Sequence, residues 1–146
     1  MAIRVFDPKK IEVGPIGTML AERVDPDAKY DGLREFFNSK SDDGNLSSVV
    51  IGDSERMAVG VGTFAPGQYT KQPIPVLYDE TLFIVEGSFN LECDGEKHHA
   101  VAGECVNITK GSMVIFGSDE GVRLVWVTSP PTWIGMQEAF LEGKFS

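Results

Sequence analysis

Gly67-Gln68-Tyr69-Thr70-Lys71-Gln72-Pro73-Ile74-Pro75-Val76-Leu77-Tyr78-Asp79-Glu80-Thr81-Leu82-Phe83-Ile84-Val85-Glu86-Gly87 is the stretch on which the reading of this chain turns. It opens on a turn cluster, Ala65-Pro66-Gly67, and runs into Thr81 to Val85, rich in the β-branched and aromatic residues that suit a pleated surface. Gly87 is expected to close that strand. Beyond it Phe89-Asn90-Leu91-Glu92-Cys93 alternates apolar with polar, the pattern of a half-exposed strand. Asp94-Gly95 follows, a dipeptide suited to a tight hairpin because both central residues tolerate positive φ. A return strand is expected from His98 to Val101.

The same rhythm extends outward. Met57 to Phe64, Val106 to Ile108, Met113 to Phe116 and Val122 to Val127 read as further strands, with turns at Ala102-Gly103, Lys110-Gly111-Ser112 and Ser118 to Gly121. Short strands separated by such turn signals predict an all-β sandwich or barrel. Towards the start, Leu33, Phe36 and Phe37 share one side of a helix expected within Ala28 to Lys40, with Asp27 or Asp31 as its cap, and Ser39 to Ser48 reads as a polar loop. Phe36 and Phe37 are expected to cover the barrel or meet a second subunit. Towards the end, Ser129-Pro130-Pro131-Thr132 stops the last strand, and Trp133, Met136, Phe140 and Leu141 fall at helical spacing, placed to cap the barrel. The expected organisation is a single domain over 1–146, with an N-terminal arm of helix and loop over 1–56, a barrel core over 57–128 and a C-terminal helix over 129–146.

With 146 residues, 42% of them hydrophobic, the chain can bury one core. Its net charge of −9 argues against a nucleic-acid partner, which needs a basic face, and against anionic lipid. The start, Met1-Ala2-Ile3-Arg4-Val5-Phe6, has no secretory-signal pattern, and the two cysteines, Cys93 and Cys105, cannot build a disulfide framework. A cytoplasmic protein with reduced thiols is expected, the thiols buried and structural.

Two spaced frames carry a resemblance. Gly67, five residues, Pro73-Ile74-Pro75, four residues, Glu80, six residues and Gly87 reproduce the frame G-x5-H-x-H-x3,4-E-x6-G. Gly103, five residues, Thr109-Lys110-Gly111, two residues, Val114, three residues and Ser118 reproduce G-x5-P-x-G-x2-H-x3-N. The chain therefore resembles the cupins, which implies a double-stranded β-helix, the jelly-roll barrel, with short N- and C-terminal helices. The first-motif histidine positions hold Pro73 and Pro75 and the second-motif one holds Val114, so of four implied metal ligands only Glu80 remains. A transition ion wants about four donors, or three and a water, so no metal and no cofactor are expected. His98 and His99, the only histidines, are adjacent, and strand neighbours point to opposite faces; both are expected at the surface.

More narrowly, the chain resembles the ethanolamine-utilisation cupins of the EutQ type, through Tyr78-Asp79-Glu80, Phe83-Ile84-Val85-Glu86-Gly87, Ile108-Thr109-Lys110-Gly111-Ser112 and Leu124 to Pro130 with Trp133. It departs from them at Thr109, commonly proline there, and at Pro73 to Pro75, where a tryptophan is common near Ile74. The resemblance implies a homodimer with a role in small amino-alcohol or carboxylate metabolism, and an acetate-kinase-like activity. Lys110-Gly111-Ser112 echoes a phosphate loop only faintly, because it lies between two strands rather than a strand and a helix.

The residues themselves suggest a pocket. If Glu80 points inward, alternation sends Leu82 and Ile84 to the same face, with Val114 and Phe116 opposite. A carboxyl group there loses solvation and its pKa rises, which prepares an acid or base near neutral pH. Glu80 and Tyr78 are the candidate catalytic groups, and Tyr69, Lys71, Gln72, Val114, Phe116 and Trp126 the candidate ligand-binding ones. Alternatively Glu80 pairs with Lys71 or Arg123 and holds strands together, and Trp126 and Trp133 are core packing. Two functional classes stay open: a barrel that binds a small organic ligand, and a metal-free enzyme, either an isomerase or lyase driven by Glu80 or the kinase that the resemblance implies.

Overall fold

A computed structural model describes residues 3–15 and 47–143. The elements are β1 (Gly14–Pro15), β2 (Ser47–Asp53), β3 (Ala58–Phe64), β4 (Ile74–Pro75), β5 (Asp79–Cys93), β6 (Glu96–Val101), β7 (Cys105–Ile108), β8 (Met113–Gly117), β9 (Val122–Ser129) and α1 (Thr132–Leu141). All strand pairings are antiparallel and join into one curled sheet in the order β1-β2-β3-β9-β5-β8-β4, with β6 and β7 also on β5.

The fold turns on β5. Its first half, Asp79 to Gly87, lies between β7 and β9. Its second half, Ser88 to Cys93, lies between β6 and β8. Gly87 does not close a strand, as the sequence suggests, but bends one. A register shift between Ile84 and Glu86 and a positive φ of 78° at Gly87 carry the chain from one layer to the other without interrupting pairing. A side chain at Gly87 would also meet the Gly121 carbonyl oxygen at 2.0 Å. The Asp94-Gly95 hairpin forms as its sequence requires, with φ of 53° and 78°.

Between the layers lie Ile84, Phe89, Val76 and Val114, all fully buried, with Leu82, Leu91, Leu124 and Trp126 close behind. Each such side chain contributes on the order of 2 kcal/mol through burial. Phe89 packs against Phe64 with ring centroids at 5.2 Å and against Phe116 at 5.9 Å. The helix α1 lays Met136, Ala139, Gly135 and Thr132 on the barrel, with Trp133 and Phe140 partly buried. Leu141, expected to share in capping, is exposed.

The sheet extends into the segment read as an arm. Ser47 and Ser48, at the end of the loop that the sequence predicts, instead begin β2, which pairs with β3 from Ser47↔Thr63 to Asp53↔Ala58. The N-terminal residues strap across this layer: Arg123 Nη1 donates to the carbonyls of Pro8 (3.0 Å) and Ile11 (2.8 Å), and Arg4 Nη1 to that of Ile51 (2.7 Å). The helix expected within Ala28 to Lys40, with Phe36 and Phe37, lies outside the described residues.

Candidate functional site

Glu80 sits on the inner face of β5, opposite Thr128 of β9 and Ile108 of β7. Alternation then places Leu82 and Ile84 inward as well, both buried. Here the barrel holds a cavity of about 100 Å³. Phe64, Leu82, Phe89, Phe116, Leu124 and Trp126 form much of its apolar wall, and Ile74 and Met136 add to it. Its polar groups are Glu80, Tyr78 and the hydroxyls of Ser47, Ser48 and Thr132. Gly60 makes room for one wall, since a Cβ there would meet the Trp126 ring at 2.2 Å. Trp126 is then fixed by its Nε1–H, which donates to Ser48 Oγ at 2.7 Å. Thr132 is held to Thr128 at 2.7 Å, so the first turn of α1 is tied to β9 beside the cavity.

Desolvation by burial lifts the Glu80 carboxyl from 4.5 to about 8. Burial, with the Glu80 charge as the smaller cause, raises the Tyr78 hydroxyl well above its ordinary value. Among the described residues, no Lys, Arg or His pairs with the Glu80 carboxyl. The alternative partners considered from sequence are elsewhere: Arg123 holds the N-terminal carbonyls, and Lys71 is exposed.

The structure brings four of the candidates together: Glu80, Tyr78, Phe116 and Trp126 all line this cavity. Val114 is buried opposite Ile74 in the core and lines a different groove. Lys71 and Gln72 are exposed and do not line the cavity. Tyr69 is on the outer side of the barrel. Its hydroxyl donates to Asp119 Oδ1 at 2.5 Å and accepts from Asn90 Nδ2 at 2.8 Å, and Asn90 Oδ1 faces His99 Nδ1 at 2.6 Å. Because that Asn90 oxygen can only accept, the His99 nitrogen is the donor. Sequence reasoning missed Ser47, Ser48, Thr132 and Met136; the helical spacing around Met136 was the one available signal.

A family model described as "Ethanolamine utilisation protein EutQ" matches residues 26–135. The chain belongs to the EutQ family. It is 29% identical over 103 residues to the acetate kinase EutQ of Clostridioides difficile (strain 630), a match covering 66% of this chain and 64% of that protein. The chain thus spans less than two thirds of that relative. The crystal structure of a putative ethanolamine utilization protein Q from Salmonella typhimurium LT2 superposes with a TM-score of 0.54 at 28% identity, covering 59% of this chain and 70% of that one. A cupin superfamily protein from Desulfitobacterium hafniense DCB-2 shares the fold, with a TM-score of 0.53 at 15% identity over 58% of this chain and 77% of that one. The EutQ-type chain thus has the cupin fold, as its spaced glycines imply.

Its donor set does not fit the metal of a typical cupin. Of the four frame positions, Pro73 is exposed, Pro75 is partly buried, Val114 is an aliphatic core residue, and only Glu80 offers a donor. Among the described residues no group of three or more His, Cys, Asp or Glu is gathered to hold an ion. A second concavity of this EutQ-type barrel, about 460 Å³, lies where β6 and β7 each pair only with β5. His98, His99, Cys93 and Cys105 all line it. Both histidines are exposed, as alternation near a hairpin tip implies. Cys105 is exposed and Cys93 partly so, which corrects the expectation of buried thiols; β7 is a one-sided edge strand, so its outward residues meet solvent.

Proposed function

We propose that this EutQ-family barrel binds a small organic molecule in the cavity that Glu80 and Tyr78 share. One observation carries the reading: a carboxyl group without a cation partner lies in a small, largely aromatic cavity, beside a Tyr78 hydroxyl that has no hydrogen-bond partner among the described residues. Polar groups set into an apolar wall are ordinarily satisfied, and a partly buried carboxyl and a tyrosine hydroxyl left open beside the same space can take up a ligand. A cavity of about 150 Å³ is known to take benzene, so about 100 Å³ suits a molecule of roughly four non-hydrogen atoms. Small amino alcohols, small carboxylates and nucleotides are the classes to screen, by thermal shift. A ligand that binds the native state raises the melting temperature by mass action. A flat response to every small compound would remove the binding reading.

The acidity of Glu80 favours a second reading, a metal-free isomerase or lyase with Glu80 as acid or base. Its pH–rate profile would break near 8, and Glu80→Gln would abolish turnover. The acetate kinase named for the C. difficile relative is a further proposal for this chain, tested by ATP-dependent formation of acetyl phosphate. A cytoplasmic homodimer without nucleic-acid or membrane partners completes the proposal. Sedimentation equilibrium tests the dimer. No helix among the described residues is long and apolar enough to cross a membrane.

A further inference from the structure

Trp133 Nε1 is shut off from solvent and has no hydrogen-bond partner among the described residues. A buried donor left unpaired is a cost that the closed structure carries, and native folds hold few such groups. The indole belongs to α1, which lays Thr132 and Met136 over the cavity. Gly135 brings the helix against the Tyr78 ring, where a Cβ would lie 3.2 Å from Cδ1. Apart from Tyr78, the other residues lining the cavity stand on strands that are hydrogen-bonded into the sheet. α1 has no such ladder.

Its hold on the barrel is light. The N-cap residue, Pro131, makes no side-chain cap bond, the first turn carries no acid and the last turn no base, so no side chain answers the helix dipole. Gly135 in the interior lowers helix propensity. From Thr132 to Leu141, the Thr132–Thr128 contact at 2.7 Å is the one side-chain hydrogen bond to the barrel among the described residues. What keeps α1 down is burial of Met136 and Ala139, which has no direction. The chain before it is firmly set: Ser129 Oγ donates to the Arg56 carbonyl at 2.9 Å, and Pro131 is fully buried.

We infer that α1 is a lid, which swings away about Pro131, lifts Met136 off the cavity and opens the way to Glu80 and Tyr78. The swing breaks the Thr128–Thr132 bond and brings Trp133 Nε1 to water, so the donor left unpaired in the closed form is paired in the open one. That orphan narrows the gap between the two forms, while the strands keep the rest of the cavity in place. The inference rests on the binding reading above only for what passes through the opening; the opening itself is read without a ligand.

The chain's two tryptophans supply the test with an internal control. Trp126 Nε1–H, bonded to Ser48, belongs to the sheet. In native-state hydrogen exchange followed by NMR, the Trp133 indole and the amides from Met136 to Leu141 should exchange together. They should do so at least about a hundredfold faster than the Trp126 indole, with little dependence on low urea. Thr132→Val, which removes the latch, should speed that shared exchange about fivefold and leave the Trp126 indole unchanged. In Met136→Cys the introduced thiol should react with iodoacetamide at the same opening, read at its own peptide by mass spectrometry because Cys105 is exposed. Both indoles exchanging at one rate, with the urea dependence of global unfolding, overturns the lid. So does a Met136→Cys thiol that reacts only when the whole domain unfolds. A closed α1 in a barrel whose melting temperature a small molecule still raises sinks the lid alone; an opening α1 in a barrel that binds nothing upholds the lid and sinks the binding reading.

Discussion

Glu80 and Asn90 stand on the same strand, β5, facing opposite sides of the barrel and in opposite circumstances. Asn90 looks outward and is partnered twice, by His99 on β6 and by Tyr69, which passes the chain of hydrogen bonds on to Asp119. Glu80 looks inward, and its carboxyl has no partner among the described residues. The outer cluster lies where water is at hand, yet its groups satisfy one another; the inner pair lies where water is scarce and stays open. An internally satisfied polar network is the mark of structure holding itself in place, and an open, partly buried acid facing a cavity is the mark of a place kept for something else.

That contrast can be broken or sharpened, and the largest effect belongs to Glu80. Its folded-state pKa of about 8 exceeds the ordinary 4.5, so between those values the native protein holds a proton that the unfolded chain has released. Stability is therefore greatest below pH 4.5 as far as this group is concerned, and declines as pH rises towards 8, by on the order of 5 kcal/mol in total. Urea denaturation at pH 5, 6.5 and 8 should show that decline in the native protein and not in Glu80→Gln, which becomes the more stable of the two at pH 8. A native protein with no such slope would mean that the inner acid is as well served as the outer network.

Next in size is Gly60→Ala. The added methyl would meet the Trp126 ring and the Val49 carbonyl oxygen at 2.2 Å, and the core cannot give way on both sides. A loss of about 2 to 3 kcal/mol in the urea midpoint is expected, together with loss of any ligand the cavity takes. Asn90→Ala should cost less, about 1 kcal/mol, because water can replace its bonds to His99 and Tyr69, and should leave ligand binding unchanged. Tyr69→Phe is the smallest perturbation, about 0.5 kcal/mol by the same measurement, since Asp119 and Asn90 can turn to solvent. A reversal of these last two orders would place function on the outer face.

The strands were legible because their signals are local. Period-two alternation reports which face a residue takes, and Gly87, Gly95 and Gly103 mark where direction changes, so Glu80, Leu82 and Ile84 could be put on one face from sequence. Two kinds of information stayed hidden. The run Val49-Val50-Ile51 has no alternation and follows polar residues, so nothing in it announces a strand; it is pairing with β3 that makes one. Tyr69, Lys71 and Gln72 lie near Glu80 in sequence, yet the loop before β4 leads them to the outside, and loop direction has no period to read. Ser48, by contrast, reaches Trp126 across 78 positions, a contact only the closed barrel creates. The fate of Cys105 depended likewise on whether β7 had one neighbour or two.

Because β5 threads both layers and forms ladders with β6, β7, β8 and β9, neither layer has a backbone boundary along which it could melt alone. Cooperativity is thus written into one strand. Deuterium should reach the amides from Leu82 to Leu91 only when the whole domain opens, so that the floor beneath Glu80 is the last part of the protein to exchange.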